Sequence, residues 1–230
     1  MSHKIYLAII VLVVLVGASV AAFYMLQPSQ EDTPSTSTVK AGVKVGDTFT
    51  YKMVGIADLH TSDVEIPENF MDVNRTDFYR VEITSVDLPI ISYTVTWQFE
   101  NGTKYSDNGM INIENGANTG EFWGIYAANL TEGSLVRPGD SKGATINATE
   151  TRQYLNGERQ TNILRMQGEL YDVTDETLSK SCFAYTYVDF DSQTGILVAL
   201  KDMKIYNYPE IILTVEWTLV DSNVLQVPQQ

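Results

Sequence analysis

Two histidines and one cysteine are all that the 230 residues offer for imidazole or thiolate chemistry. His3 stands ahead of a long apolar run, so a Ser-His-Asp or Cys-His arrangement would have to be built on His60, in Asp58-Leu-His60-Thr-Ser-Asp63. An exposed loop histidine is the plainer reading of that residue. A closed structural zinc site needs four ligands, and His60 with Cys182 cannot supply them. One cysteine also excludes a disulfide within the chain. No catalytic, cofactor-binding or metal-ligating residue is assigned, and the expectation is a protein that is not an enzyme.

The acids offer two further patterns. Asp189-Phe-Asp191-Ser-Gln-Thr194-Gly195 has the opening spacing of a calcium loop. Counted from Asp189, however, glycine falls at position seven and Leu200 at position twelve, where that loop needs glycine at six and an acid at twelve. A phosphoryl-transfer Asp-x-Asp-x-Thr site would need its threonine one residue earlier and a helix after it. The stretch reads instead as a hairpin turn in which Asp191 accepts from the turn backbone and Gly195 takes a positive φ. Paired carboxylates for glycoside hydrolysis remain open, because acids are abundant and their separation is not visible in a sequence. Trp97, Trp123, Trp217 and the tyrosines could stack on sugars, but alternate strand positions make core packing the default.

The most concrete modification signal is four sequons, Asn74-Arg-Thr76, Asn101-Gly-Thr103, Asn129-Leu-Thr131 and Asn147-Ala-Thr149. None has proline in the middle and all carry threonine, so glycosylation is expected at Asn74, Asn101, Asn129 and Asn147.

The elements that must carry these residues are strands. Tyr93, Val95, Trp97 and Phe99 alternate with polar residues, as do Ile211, Leu213, Val215, Trp217 and Leu219. Phe49-Tyr51-Met53, Tyr79-Val81-Ile83 and Phe183-Tyr185-Tyr187 repeat the theme. Asn156-Gly157 and Asn101-Gly102 are hairpin signals, and Gly46-Asp47 and Gly139-Asp140 mark further turns. Helix is scarce: Gly120–Leu130 could be helical or extended, and Val173–Ser181 suits one short helix. The expected fold is mainly β, one large antiparallel curved sheet or a β-sandwich with one or two short helices. Val43-Lys-Val-Gly-Asp47 and Val136-Arg-Pro-Gly-Asp140 look alike, and read as two independent turns rather than a repeat.

The chain's front end gives it an address. Residues 1–4 carry Lys4, and 5–26 form a membrane helix whose apolar run Ile5–Phe23 approaches the ~30 Å hydrocarbon core. The positive-inside bias puts everything after it outside. A cleaved signal peptide, with Val20-x-Ala22 or Ser19-x-Ala21 as cleavage motif, would export the same residues. Residues 27–41 read as a flexible Ser/Thr/Pro stalk, 42–221 as one extracytoplasmic β domain and 222–230 as a tail. The formal net charge is −14, and with Lys4 set aside the remainder holds 14 basic residues against 29 acidic ones. Nucleic acid is excluded as a partner, because a phosphate backbone needs a cationic face.

Val45-Gly-Asp-Thr-Phe-Thr-Tyr51 after an anchor and stalk resembles archaeal membrane-anchored surface proteins, as does Tyr187-Val-Asp-Phe-Asp-Ser-Gln-Thr-Gly-Ile-Leu197. The second segment is also similar to a strand-turn-strand of lipoprotein-carrier (LolA-like) domains, which implies a sheet around an apolar cavity. Neither resemblance assigns a functional residue. The expected role is a non-enzymatic, membrane-tethered domain that binds a protein, glycan or lipid at the cell surface or forms part of the envelope. A lipid or lipoprotein carrier and an acid-pair hydrolase are the alternatives.

Overall fold

The computed structural model describes residues 39–59, 66, 68–154, 157–170, 181–207 and 210–226. The expected membrane helix at 5–26, most of the stalk, His60 and the proposed helix at 173–181 except Ser181 lie outside the described residues. Among the described residues no helix is long and apolar enough to cross a membrane.

Nine strands form one antiparallel sheet. They are β1 (Thr48–Leu59), β2 (Thr76–Asp87), β3 (Ile90–Phe99), β4 (Lys104–Asn112), β5 (Ala148–Tyr154), β6 (Gly157–Leu170), β7 (Cys182–Asp191), β8 (Leu197–Asn207) and β9 (Glu210–Ser222). The order across the sheet is β4-β3-β2-β1-β9-β8-β7-β6-β5. Two meanders, β1 to β4 and β5 to β9, therefore meet where the first strand pairs with the last. A single sheet, not a sandwich, is the outcome, and it is not closed, because β4 and β5 are both edges.

Alternation decides which face is covered. Opposed residues of an antiparallel pair share a face, and the register aligns Leu219, Tyr51, Tyr79, Trp97 and Tyr105 in one row across β9, β1, β2, β3 and β4. The next row holds Phe49, Val81, Val95 and Asp107. Tyr51, Tyr79, Val81, Val95 and Trp97 are all buried, as the alternating runs Phe49–Met53, Tyr79–Ile83 and Tyr93–Phe99 predict. The run Phe183-Tyr185-Tyr187 has the expected period but the opposite phase. Cys182, Ala184, Thr186, Val188 and Phe190 are the buried set, while Tyr187 is 36% exposed. The inward positions of β7 face Asp202 and Lys204 of β8 through Thr186 and Ala184, and small or polar residues fit there.

The cover comes from the chain between β4 and β5. Residues 113–147, with no strand or helix of their own, run as a strap from one edge of the sheet to the other. Phe122 packs against Tyr51, Tyr79, Tyr93 and Trp217, with ring centroids 5.6–6.4 Å apart, so its ring spans four strands. Tyr126 stacks on Phe190 at 4.2 Å. Leu130 accepts hydrogen bonds from the Asn162 amide and the Ser192 hydroxyl. Arg137, 4% exposed, donates to the carbonyls of Ile125 (2.7 Å) and Trp123 (3.0 Å) and lies over the Tyr126 ring, fixing the strap to itself. Gly120–Leu130, left open between helix and extended chain, is thus the middle of this irregular segment, bridging Ile125 to Ile196 just before β8 and accepting at Gly124 from the Leu197 amide of β8.

The described helix is α1 (Glu68–Asn74), seven residues and too short to show a 3.6-residue period. Phe70 and Val73 are buried beside Gly55 of β1. β2 stops pairing with β1 at Tyr51, and the Asn74 side chain then takes both backbone groups of Gly55, each at 2.8 Å, in place of a strand.

The turns follow the sequence reading. Gly102 and Gly195 have φ of 80° and 72°, and Asp191 accepts from the Thr194 amide at 2.7 Å. The packed domain reaches from Val39 to Leu225, slightly beyond 42–221, since Val39 packs on the core and Leu225 is fully buried. Entry and exit lie at one end of the sheet: Lys40 accepts from Ala128 in the strap, and Asn223 bonds Gly46 and Thr48 at the start of β1.

Candidate functional site

The four sequon asparagines are all exposed, and they fall into two pairs. Asn74 and Asn101 flank the hydrogen bond from Glu100 to the Arg75 carbonyl. Asn129 and Asn147 lie on the strap, where Leu130 and Thr149 both bond to Asn162. Asn101 accepts from the Thr103 amide, as an Asx turn does, and Asn129 sits at φ 62°. Asn147 accepts from the Arg165 amide at 2.6 Å. The threonines differ more than the asparagines. The Thr76 hydroxyl is buried, donating to the Asp72 carbonyl and accepting from the Trp97 indole, and that of Thr149 bonds Asn162 and Glu132.

Asp189 and Asp191 are held by arginines. Arg152 and Arg165 each reach Asp189 at 2.8 Å. Asp191, with a fully buried side chain, receives a fork from Arg159 and two bonds from Thr194. Four donors saturate that carboxylate, which fits the turn reading. Among the described residues no group of three or more His, Cys, Asp or Glu could hold a metal ion. Cys182 is buried, and burial pushes its thiol up from the ordinary value, against a nucleophilic role.

A site missed by reading single residues lies where the strap crosses the β3–β4 edge. Position 107 is an inward position of β4, between Tyr105 and Gly109, so Asp107 belongs to the covered face and is only half-buried. The strap brings Glu121 to the same corner. The approach is close because Gly109 and Gly120 meet: a methyl on either would overlap the Tyr93 ring, and one on Gly120 would also overlap the Gly109 backbone. The Tyr93 hydroxyl ties the crossing down, donating to Asn118 at 2.9 Å and accepting from the Phe122 amide at 3.2 Å. Beyond it, Asn118 bridges to Ile111 and the Thr119 amide donates to Met110.

The electrostatics of this corner are unusual for a surface acid. Burial, and secondarily the like charge of Asp107, push the Glu121 carboxyl up from 4.5 to about 7. Among the described residues neither its buried Oε2 nor the hydroxyl of Tyr79, which is fully buried two strands away, has a hydrogen-bond partner. Burial raises the Tyr79 phenol well above its ordinary range, and the Glu121 charge is the next largest cause. The corner thus gathers two carboxylates, one of them with an unpartnered oxygen, and the aromatic side chains of Tyr93, Trp97 and Tyr105. Chemically it can hold or exchange a proton at Glu121, or accept hydrogen bonds from a cationic or hydroxylic group. The hint in the sequence was the strand register that carries Asp107 inward beside aromatic positions; Glu121 carried no such signal, because the strap has no period.

A second polar group lies on the covered face, where Thr186 donates to Asp202 at 2.7 Å and Lys204 stands 3.7 Å from the same carboxylate. All three are buried.

No protein-family model, no curated protein and no solved structure matches this chain.

Proposed function

We propose that this chain is a membrane-tethered, extracytoplasmic binding domain of the cell surface, anchored by residues 5–26 and carried on the stalk at 27–41. The observation that carries the binding reading is the Asp107–Glu121 corner: two carboxylates on the covered face of a sheet, set among aromatic rings and left half-exposed. Carboxylates at such a position cost stability through desolvation and mutual repulsion, and a bound group offsets that cost. The exposure of Asn74, Asn101, Asn129 and Asn147 supports a glycoprotein. The two segments that resemble archaeal surface proteins accord with the same address, with a protein, glycan or lipid as the partner. Phe122 and the strap occupy the face that a lipid carrier would need empty, which favours binding at the corner over carriage in a cavity.

Native mass spectrometry of the full chain extracted from its membrane, with and without deglycosylation, tests this. Glycan mass together with a bound partner supports the reading; a retained lipid-sized mass moves the carrier reading ahead. Protease digestion of intact cells tests the address, since the domain should be cleaved from outside.

One observation favours a second reading. A carboxyl held up to about 7 beside another acid is the arrangement that glycosidases use for a general acid and its partner. In an acid-pair hydrolase, Glu121 would protonate the leaving oxygen and Asp107 would act as base or nucleophile. Release of nitrophenol from nitrophenyl glycosides, abolished by Glu121→Gln, would establish it; no release by the folded chain would remove it.

A further inference from the structure

The β2–β3 hairpin outruns the strand beside it. β1 begins at Thr48, opposite Glu82, whereas β2 continues to Asp87 and turns through Leu88-Pro89 into Ile90. Residues 83–87 carry the turn about 15 Å past the start of β1, at the usual rise of a strand. Its outer face is apolar. Ile90 lies opposite Asn112 and Ser92 opposite Met110, so Ile90 and Met110 are diagonal neighbours about 7–8 Å apart on the face that the strap leaves uncovered. Leu88, Ile90 and Met110 are 49%, 41% and 48% exposed. Val45 is exposed at the same end, set back beside Ile83, whose carbonyl takes the Gly46 amide. Single exposed apolar side chains are ordinary, but a set gathered on a projecting tip marks a surface that meets an apolar partner. Resting on the membrane-tether reading above, we propose that this tip lies in the interface of the bilayer that anchors the chain.

The occupant follows from where the chain enters. Lys40 accepts from Ala128 of the strap, and Gly42 lies against the backbone of Gln193 and Thr194 in the β7–β8 turn. Val39 therefore stands at the end of the sheet from which the tip projects. Only residues 27–38 separate it from Leu26, the last of the apolar segment. Whatever their conformation, they span at most about 45 Å. That end of the domain cannot leave the neighbourhood of the bilayer, and tethering presents the tip to it at high effective concentration.

Charge sets the depth and the lipid. Asp87 opposes Ile90 and shares its face, accepting from the Ser85 hydroxyl at 3.0 Å. A carboxylate in hydrocarbon is costly, so Leu88, Ile90 and Met110 rest at the boundary of headgroups and acyl chains while Asp87 stays hydrated. The net charge of −14 opposes approach to anionic lipid, which makes the contact an apolar one with zwitterionic headgroups. Asn129 and Asn147, whose amides donate to the Ser192 and Ile163 carbonyls, lie on the far half of the sheet, where glycan leaves the β2–β4 corner free.

The test uses the full chain reconstituted in phosphatidylcholine vesicles, with a nitrobenzoxadiazole dye on Leu88→Cys or Lys104→Cys. Cys182 is buried, and the parent chain measures any labelling there. Lys104 is exposed at the other end of β4, about 20 Å from Met110 along the strand. Phosphatidylcholine carrying a nitroxide near its carbonyl should quench the dye at position 88 and leave the dye at 104 bright. Adding Ile90→Asp and Met110→Asp to the Leu88→Cys chain should abolish that quenching. Both positions are exposed, and Met110→Asp alone serves if the pair perturbs the near-ultraviolet spectrum. Replacing part of the lipid with phosphatidylglycerol should leave the quenching unchanged or lower it. Equal quenching at 88 and 104, quenching that survives the aspartates, or quenching that rises with phosphatidylglycerol overturns the proposal. So does a blue-shifted dye at 88 that nitroxide lipid does not quench, which would assign the tip to a second copy of the chain. A chain that resists carbonate extraction but shows no quenching at 88 removes the tip contact and leaves the tether standing; a chain that carbonate strips from the vesicles removes both.

Discussion

Arg159 of β6 and Asp191 at the end of β7 are joined by two parallel hydrogen bonds, Nε to Oδ2 at 2.7 Å and Nη2 to Oδ1 at 2.8 Å. The aspartate side chain is fully buried and that of the arginine 16% exposed, so water screens the pair little. Asp191→Asn leaves the guanidinium without its counter-charge and is expected to cost about 3 kcal/mol. Urea unfolding should show a lower midpoint at an unchanged slope; an unchanged midpoint would mean that the fork contributes nothing.

Phe122 is the strap's one large contact with four strands. Phe122→Ala should destabilise the domain by about 3–5 kcal/mol through lost burial and the cavity left behind. Thermal unfolding followed in the near ultraviolet also reads the rings of Tyr79 and Trp217, and a loss well under that range would mean that the strap closes over the gap.

The Glu121 carboxyl titrates at about 7 in the fold against 4.5 in the unfolded chain. Its contribution to stability is therefore fully present below 4.5 and is lost as pH rises through about 7. Glu121→Gln stays neutral throughout. The variant's gain in urea midpoint over the parent should accordingly be larger at pH 8 than at pH 4.5, and an equal gain at both would refute the shift.

Glycosylation should depend on folding at two sequons and not at the others. The hydroxyls of Thr76 and Thr149 are engaged on both sides in the fold, by Asp72 and Trp97 and by Asn162 and Glu132. Offered to a transferase after refolding, the bare chain should accept glycan at Asn101 and Asn129 but not at Asn74 or Asn147. Peptide mapping by mass spectrometry reads the sites; modification of refolded chain at Asn74 would show that the Thr76 contacts open readily.

What the sequence made legible was whatever repeats locally. The alternation of Tyr93 to Phe99 gave both strand and buried face, because one flank is apolar throughout. The Asp191 turn was legible because its acceptor, its left-handed glycine and its neighbours lie within five residues. In β7 both flanks hold apolar side chains, so period alone could not choose between Phe183-Tyr185-Tyr187 and the smaller set that is buried. The strap escaped notice because its burial is dictated by strands far away in sequence. The Asp107–Glu121 corner went with it, since one of its acids is placed by register and the other by the strap. Of the sequons, the exposure of Asn101 suits the hairpin turn expected at Asn101-Gly102, while the fate of the sequon threonines is tertiary and was not readable.

The pairing of β1 with β9 has a consequence for biosynthesis. Emerging from the ribosome, β1 must wait for more than 150 further residues before its second neighbour exists, and until then its flank is an unpaired edge at the middle of the future sheet. The first meander can assemble on its own side, but the joint between the halves forms only with the final strand. A chain halted before Glu210 would hold two half-sheets with their seams open, a species suited to joining with another such chain. Synthesis of β9 is thus the step that seals the sheet.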